Sequence, residues 1–225
     1  MPAEGGKRVK RAIVLAGGDP VAPALRARVP DHDDVVAADS GLHHAATLGL
    51  VVAHIVGDLD SADPAAVDAA VSQGATVERY PADKNATDLE LALLAARARG
   101  ASAVTVFGGA GGRLDHFAAN LTVLAAPGLA PLEIEAFMGD ARIAIARGGE
   151  PAAAIVSRPG ALVSLVPVGG DACGIVTTGL AYALTGEDLP AGTSRGVSNV
   201  VATSPASVVL VRGTLLVIEP EGVAS

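Results

Sequence analysis

The chain has 225 residues, half of them hydrophobic, and a formal net charge of −8. This length is enough for one large domain or two small ones with a hydrophobic core. The acidic balance, with no lysine or arginine cluster beyond the first residues, argues against a nucleic-acid partner. No apolar run reaches the ~18 residues that a membrane span needs, so we expect no membrane partner either.

The cysteine content and the start of the chain bear on the compartment. Cys173 is the one cysteine, which rules out an intramolecular disulfide and fits a reducing environment. Residues 1–11 are basic but lead into a strand-like run rather than the apolar region and cleavage site of a signal peptide. We therefore expect a cytoplasmic protein.

Short apolar runs alternate with helical patterns in the first part of the chain. The predicted strands cover residues 11–16, 34–38, 51–56, 75–80 and 102–107. The predicted helices cover residues 22–28, a stretch around residues 43 and 44, residues 64–73, residues 88–99, and a segment that ends near residue 125. Such alternation favours an α/β, doubly wound, mostly parallel sheet, that is, a Rossmann-like domain.

The pattern changes after Pro127, where little of the chain is helical. Short β-like runs cover residues 132–137, 142–146, 153–157, 162–166, 197–203, 207–211 and 215–219. Turns rich in glycine, proline and aspartate separate these runs, which is typical of a small all-β sandwich or partial barrel. We place the boundary near Gly148, which predicts an α/β domain over residues 1–147 and a β-sandwich domain over residues 148–225.

Two carboxylates follow the third predicted strand with one residue between them. Asp58 and Asp60 come just after Gly57, where the apolar run stops. Ligands of open α/β sheets bind beyond the carboxyl ends of the strands, and carboxylates are the hard oxygen ligands that Mg²⁺ takes beside a phosphorylated substrate. Asp-rich turns also serve as helix caps, but Asp63 and Pro64 already supply that start for the next helix.

Other charged residues end the neighbouring strands or lie in the loops after them. Asp39 follows the second strand, Asp88 the fourth, and Arg113 and Asp115 lie in the glycine-rich loop after the fifth. In a parallel sheet all of these positions share one edge, and several acids around one arginine suit a metal-bridged phosphate site. Structural roles stay open: Asp39 could be a turn residue, Asp88 could favour its helix dipole, and the loop could be merely flexible.

Five short segments give the chain a resemblance to the thiamine pyrophosphokinase family. They are Ala38-Asp39-Ser40-Gly41, Gly57-Asp58-Leu59-Asp60-Ser61, Lys84-Asn85-Ala86-Thr87-Asp88, Gly112-Arg113-Leu114-Asp115-His116 and Gly196-Val197-Ser198-Asn199. The resemblance implies transfer of a pyrophosphoryl group from ATP to the hydroxyl of thiamine, with Mg²⁺ as cofactor. It also implies a homodimer whose sites lie between subunits.

The resemblance also implies roles for individual residues. Asp58, Asp60 and Asp88 would hold the metal or orient the hydroxyl, and Arg113 would bind ATP phosphate. The other residues expected to bind ATP or thiamine are Asp39, Ser40, Thr87, Gly109, Asp115, His116, Tyr182, Ser198 and Asn199. For the last three a structural role, with Tyr182 in the core and the other two in a turn, is an open alternative.

The chain departs from the family pattern at three positions that bear on the acceptor. Ser40 replaces a glycine, Asn85 stands where many relatives carry aspartate, and Ala181 replaces a lysine. Two alternatives therefore stand beside thiamine pyrophosphokinase activity. One is a pyrophosphokinase for another heterocyclic alcohol, such as a hydroxymethylpterin, and the other is a nucleotide-binding sensor without turnover.

Overall fold

The computed structural model of the chain describes residues 9–223. Residues 1–8 of the basic start therefore lie outside the described residues. The α-helices are α1 (His44–Leu48), α2 (Pro64–Ser72), α3 (Asp88–Ala98) and α4 (Leu114–Leu124), and 3-10 helices cover Pro23–Arg28, Asp39–His43 and Pro127–Leu129. Within residues 9–223, no helix combines the length and the apolar character that crossing a membrane requires.

The strands divide between a large sheet and a small one. Those of the first part are β1 (Arg11–Ala16), β2 (Asp34–Ala38), β3 (His54–Gly57), β4 (Thr76–Arg79), β5 (Ala103–Gly108), β6 (Glu133–Met138) and β7 (Ala141–Arg147). Those of the second part are β8 (Ala153–Ile155), β9 (Leu162–Pro167), β10 (Ala172–Thr178), β11 (Thr185–Leu189), β12 (Asn199–Val200), β13 (Ala206–Val209) and β14 (Thr214–Glu219).

The predicted fold class, a doubly wound Rossmann-like domain followed by a separate β-sandwich, is wrong. A single ten-stranded mixed sheet in the order β12-β9-β14-β7-β6-β5-β1-β2-β3-β4 runs through both parts of the chain. The six strands at one end of this order, β6-β5-β1-β2-β3-β4, pair in parallel. The other four, β7, β14, β9 and β12, continue the same sheet with antiparallel pairing. The hairpin between β6 and β7 makes this extension, because it turns the chain back beside β6 instead of starting a new sheet.

The small antiparallel sheet, in the order β11-β10-β13-β8, packs on the antiparallel end of the large one. Its strands β10 and β11 were not predicted. Gly174 interrupts the apolar run of β10 and the register shifts there, while the β11 sequence Thr-Gly-Glu-Asp-Leu is mostly polar. Neither segment shows the apolar alternation on which strand prediction depends.

Helices cover both faces of the parallel strands. Helix α3 packs on one face through its buried residues Leu89, Ala92, Leu93 and Ala96, and its N-cap Thr87 accepts a hydrogen bond from the Glu90 amide at 3.3 Å. The other face is covered by the residues around Leu25, Leu42 and Leu48. With both faces buried, ligands can reach the parallel strands at their ends.

Candidate functional site

The carboxyl ends of the parallel strands open into a pocket of about 930 Å³. Strands β1, β2, β3 and β5 are neighbours in the sheet, so the residues that follow them meet at one edge. Among the predicted site residues, those that line the pocket are Asp39, Ser40, Asp58, Asp60, Thr87, Asp88, Gly109, Arg113 and His116. The strand ends therefore mark a real concavity, and five of the charged residues expected there line it, namely Asp39, Asp58, Asp60, Asp88 and Arg113.

Asp39 is the most buried of these acids. It starts the 3-10 helix after β2 with a left-handed backbone (φ 47°), and only 7% of its surface is exposed. Its Oδ1 atom has no hydrogen-bond partner within the described part of the chain. Burial raises the pKa of Asp39 above its usual value, and the negative charges of Asp88, Asp60 and Asp58 raise it further.

Asp58 and Asp60 follow β3 through a turn, not through extended backbone. Leu59 between them has a left-handed φ of 63°, and the Asp60 amide donates to Asp58 Oδ1 at 3.4 Å. Even so, the three acids Asp39, Asp58 and Asp60 each place an oxygen within 4.8 Å of the others. A hard cation with oxygen ligands suits such a group.

Lys84 is the cation at the centre of the site. Its ammonium lies 2.8 Å from Asp58 Oδ2 and 2.7 Å from Asp88 Oδ1, and its side chain is 11% exposed. The hydrogen bond from Lys84 lowers the pKa of Asp58. Burial alone would lower the pKa of Lys84, but its hydrogen bond to Asp58 and its close contact with the Asp88 carboxylate outweigh burial and raise it.

The glycine-rich loop after β5 supplies the opposite wall. Arg113 is 72% exposed and forms two hydrogen bonds with Asp115, at 3.1 and 2.6 Å. These hydrogen bonds lower the pKa of Asp115 to about 2. Asp115 does not itself line the pocket, but it holds the guanidinium that does. Asn120 on α4 donates to the Gly109 carbonyl at 3.0 Å and so fixes the loop to the helix.

The three site residues predicted in the second part of the chain do not line this pocket. Tyr182 is 69% exposed rather than in the core. Asn199 is buried, and its amide holds the Tyr182 backbone from both sides, since Oδ1 accepts from the Tyr182 amide at 3.0 Å and Nδ2 donates to its carbonyl at 2.8 Å. The Ser198 amide donates to Ser164 Oγ at 3.1 Å. These residues thus present an exposed aromatic ring on a well-anchored turn.

The residues present fit a divalent metal ion. Asp39 offers a buried carboxylate oxygen without a partner, next to two further carboxylates, and all of the donors are oxygens. This set differs from the predicted ligands Asp58, Asp60 and Asp88, since Asp39 joins the first two and Asp88 binds Lys84. Asp88 lines the same pocket and has a second carboxylate oxygen besides the one that faces Lys84, so it remains a predicted ligand.

The sequence alone predicts no role for Lys84 or Asn120. Lys84 stands four residues before Asp88, a spacing that favours ion pairs on a helix, but it precedes the helix start and so gave a weak signal. Asn120 lies in the middle of α4. Nothing in the sequence shows that its amide turns back to the glycine-rich loop.

Two family models match the chain over separate segments. The model described as thiamin pyrophosphokinase, catalytic domain, matches residues 27–136, and the one described as thiamin pyrophosphokinase, vitamin B1 binding domain, matches residues 154–215. The two matched segments together take up most of the chain, and both models describe domains of the same family.

A curated relative agrees with these matches. A thiamine pyrophosphokinase of Bacillus subtilis (strain 168) is 30% identical over 112 residues, which are 50% of this chain and 52% of the relative. The chain thus aligns with about half the length of this curated relative.

Solved structures extend the likeness to nearly the whole fold. The crystal structure of thiamine pyrophosphokinase from Bacillus subtilis has a TM-score of 0.80 at 24% identity, covering 93% of this chain and 98% of that one. That of thiamin pyrophosphokinase from Geobacillus thermodenitrificans has a TM-score of 0.74 at 27% identity, covering 92% of this chain and 96% of that one.

Proposed function

Because the chain belongs to the thiamin pyrophosphokinase family, we propose that it transfers the pyrophosphoryl group of ATP to the hydroxyl of thiamine, giving thiamine diphosphate and AMP. The observation that carries the proposal is the convergence of three carboxylates, Lys84 and Arg113 on one pocket at the strand ends. Transfer of this kind needs positioning and charge neutralisation more than covalent help from the protein. A pocket of acids, cations and a glycine-rich helix start offers these.

Mg²⁺ is proposed as the cofactor, held by Asp39, Asp58 and Asp60 with Asp88 as the further predicted ligand. When bound, it would neutralise these acids and the phosphate charge. The carboxylate oxygens that the metal leaves free would accept the hydrogen bond of the attacking hydroxyl. Arg113 would donate to ATP phosphate, since a guanidinium suits phosphate oxygens and its present partner Asp115 is exposed.

In the reaction, the thiamine hydroxyl oxygen bonds to the β-phosphorus of ATP. The bond from that phosphorus to the oxygen that bridges to the α-phosphate breaks, and AMP leaves with that oxygen. The hydroxyl proton passes to a carboxylate of the site or to solvent. The protein's own contribution is to hold the hydroxyl and the β-phosphorus in line and to match the charge that develops.

Recognition of thiamine is proposed to involve the second part of the chain, through Tyr182, Ser198 and Asn199. The exposed ring of Tyr182 is available for stacking, and the match of residues 154–215 to a vitamin B1 binding domain supports this. Since these residues do not line the pocket of their own chain, they would reach the pocket of a second subunit. We also propose that the protein is a homodimer and that it is cytoplasmic. The proposed domain boundary lies between residues 147 and 148.

The test is an assay with ATP, Mg²⁺ and a panel of alcohols that includes thiamine and a hydroxymethylpterin, scored for AMP against ADP. AMP release that depends on thiamine is the expected result. AMP release with the pterin alone would assign another acceptor, to which the departures at Ser40 and Asn85 in the pocket lining could contribute. ATP binding without turnover would indicate a sensor.

A further inference from the structure

Lys84 joins two parts of the site that are far apart along the chain. Asp58 follows β3, Asp88 begins α3, and the ammonium of Lys84 lies within 2.8 Å of an oxygen of each. Its side chain is 11% exposed and that of Asp58 16%, so water screens this contact less than an ion pair on the open surface. The lysine therefore holds the end of a strand and the start of a helix together.

Asp58 belongs to two groups at once. One of its oxygens binds Lys84, and it is also a member of the cluster with Asp39 and Asp60. The other two acids of the cluster have no ion pair among those found for residues 9–223, and Asp39 Oδ1 is buried without a hydrogen-bond partner. The cluster is thus short of positive charge, and a second cation placed there would compete with Lys84 for Asp58.

We propose that Lys84 is a positioning residue that takes the place of the divalent cation beside Asp58 when none is bound and gives up Asp58 when the cation binds. The proposal rests on the proposed function for the identity of that cation, Mg²⁺. In the metal-free protein the ammonium offsets the repulsion between carboxylates. With the metal bound, Lys84 keeps Asp88 and has one carboxylate fewer, which makes its ammonium available to an anionic substrate.

The test is a calorimetric titration of Mg²⁺ without ATP or alcohol, on wild type and on Lys84→Met, which keeps the length of the side chain without its charge. Losing the competing ammonium should tighten Mg²⁺ binding roughly fivefold, the size expected for one modest ion pair. The metal-free melting temperature should fall by about 2–4 °C. Lys84→Arg keeps the charge and should stay near wild type in both measurements.

The matched control is Lys10→Met, which removes the same charge outside the pocket, where Lys10 donates to the Arg99 carbonyl. It should leave Mg²⁺ affinity unchanged. A merely structural role for Lys84 would weaken Mg²⁺ binding as the site loosens. Unchanged, weaker or undetectable Mg²⁺ binding by folded Lys84→Met would overturn the proposal.

A measurement on the wild-type protein covers the case in which Lys84→Met does not fold. Amine acylation followed by mass spectrometry should label Lys84 faster in Mg²⁺ than in chelator, while Lys10 labels equally in both. Equal labelling of Lys84 in the two conditions would overturn the proposal. Neither measurement involves turnover, so absence of AMP formation would count against the proposed function and not against this role of Lys84.

Discussion

Asp39 and Asp58 are both aspartates, and their carboxylates lie within 4.8 Å of each other. Their surroundings nevertheless shift their pKa values in opposite directions. Burial raises the pKa of Asp39, so its charged form is disfavoured, whereas the hydrogen bond from Lys84 lowers that of Asp58. One acid therefore opposes the metal-free fold at neutral pH while the other supports it. Without the structure, two aspartates at strand ends look equivalent.

Replacing these two aspartates by asparagine should have opposite effects on metal-free stability. Asp39→Asn removes a buried charge, and asparagine tolerates the left-handed backbone, so the melting temperature in chelator at neutral pH should rise. Asp58→Asn removes one of the two carboxylates that bind Lys84, so the melting temperature should fall. The gain from Asp39→Asn should shrink as pH falls, because Asp39 itself becomes protonated in the folded state.

The melting temperatures of Asp39→Asn and Asp58→Asn in the presence of Mg²⁺ and ATP test whether the two aspartates bind the metal. Both variants should lose most of the rise in melting temperature that Mg²⁺ with ATP gives to wild type, since each removes a proposed ligand. A drop in stability for Asp39→Asn, or full Mg²⁺-dependent stabilisation of either variant, would contradict the metal-site assignment.

The acids of the site could be found from the sequence because strand ends in a parallel arrangement share an edge. This rule uses only the order of strands and loops, and it placed Asp39, Asp58, Asp60 and Asp88 around one pocket. The ion pairs among them could not be found in this way. They depend on side-chain directions, such as that of Lys84, which the spacing of residues leaves open.

At the scale of elements, the end of β3 is fitted closely to its neighbours. Gly57 has φ 144°, and a Cβ atom there would lie 3.0 Å from Asp88 Oδ1 and 3.1 Å from Asp39 Cβ. Because Gly57 has no side chain, Asp39 and Asp88, which come from two other elements, can lie close to the backbone at the end of β3. The glycine is thus part of the geometry of the site.

Gly57→Ala should therefore cost more than the backbone strain alone. Gly74→Ala is the matched control, because Gly74 also has a positive φ (102°) but nothing lies within 4 Å of its added Cβ. We expect Gly57→Ala to lower the melting temperature more than Gly74→Ala and to weaken Mg²⁺ binding, which the control should leave intact. Equal losses in the two variants would show that the contacts with Asp39 and Asp88 do not matter.

A second link between elements lies at the opposite end of the strands. Arg99, after α3, donates to both oxygens of Asp34 at the start of β2, at 2.6 and 3.2 Å. Burial alone would raise the pKa of Asp34, but the hydrogen bonds and charge of Arg99 outweigh burial and lower it. A lowered pKa in the folded state means stability that is present at neutral pH and is lost as pH falls through the aspartate range.

Asp34→Asn should therefore destabilise the protein by about 1–2 kcal/mol at neutral pH, the size of a partly exposed charged hydrogen bond. The difference from wild type should disappear in acid below the lowered pKa of Asp34. Asp68→Asn, at an exposed position on α2, is the control and should show little effect. Urea unfolding at several pH values measures both, and a pH-independent loss for Asp34→Asn would refute the charge-based explanation.

Elements with strong local signals were the ones that could be predicted. Helix α3 has a cap at Thr87, an apolar face and basic residues near its end, and its predicted range differs from the observed one by a single residue. Strand β11 has a polar sequence and exists because it pairs with β10. Pairing partners that lie far along the chain leave no local pattern, so such strands are missed.

At the scale of the whole molecule, the two parts of the chain share one sheet and a buried ion-pair network. Strand β14 pairs with both β7 and β9, and Arg142 on β7 binds Glu135 and the fully buried Glu219. Glu219 also accepts hydrogen bonds from the amides of Val156 and Ser157. The large sheet is continuous across the composition shift near Gly148, since β7 before it and β9 and β14 after it are neighbours in that sheet.

A site shared between two subunits can be tested by complementation. Arg113→Ala should lower turnover by roughly 10²–10³-fold, as expected for loss of a charge-stabilising donor, with the fold intact. Tyr182→Ala should weaken thiamine binding and spare ATP binding. The control Arg158→Ala, at an exposed arginine outside the pocket, should stay active.

The two variants are mixed under conditions that exchange subunits and assayed at a thiamine concentration at which each alone is nearly inactive. The mixture should regain about a quarter of wild-type activity, because half of the dimers are mixed and each of these has one intact site of two. A mixture as inactive as its parents, despite demonstrated exchange, would place Arg113 and Tyr182 in the site of a single subunit or show that the dimer is not required.

The central claim, transfer of an intact pyrophosphoryl group to thiamine, is tested most directly by following the phosphorus atoms of ATP. With ATP labelled at the β-phosphate, ³¹P spectroscopy or radiolabel tracing shows where the β-phosphorus goes. The label should appear in thiamine diphosphate, with AMP formed in equal amount. Label that stays in ADP, with phosphate transferred singly, would contradict the claim.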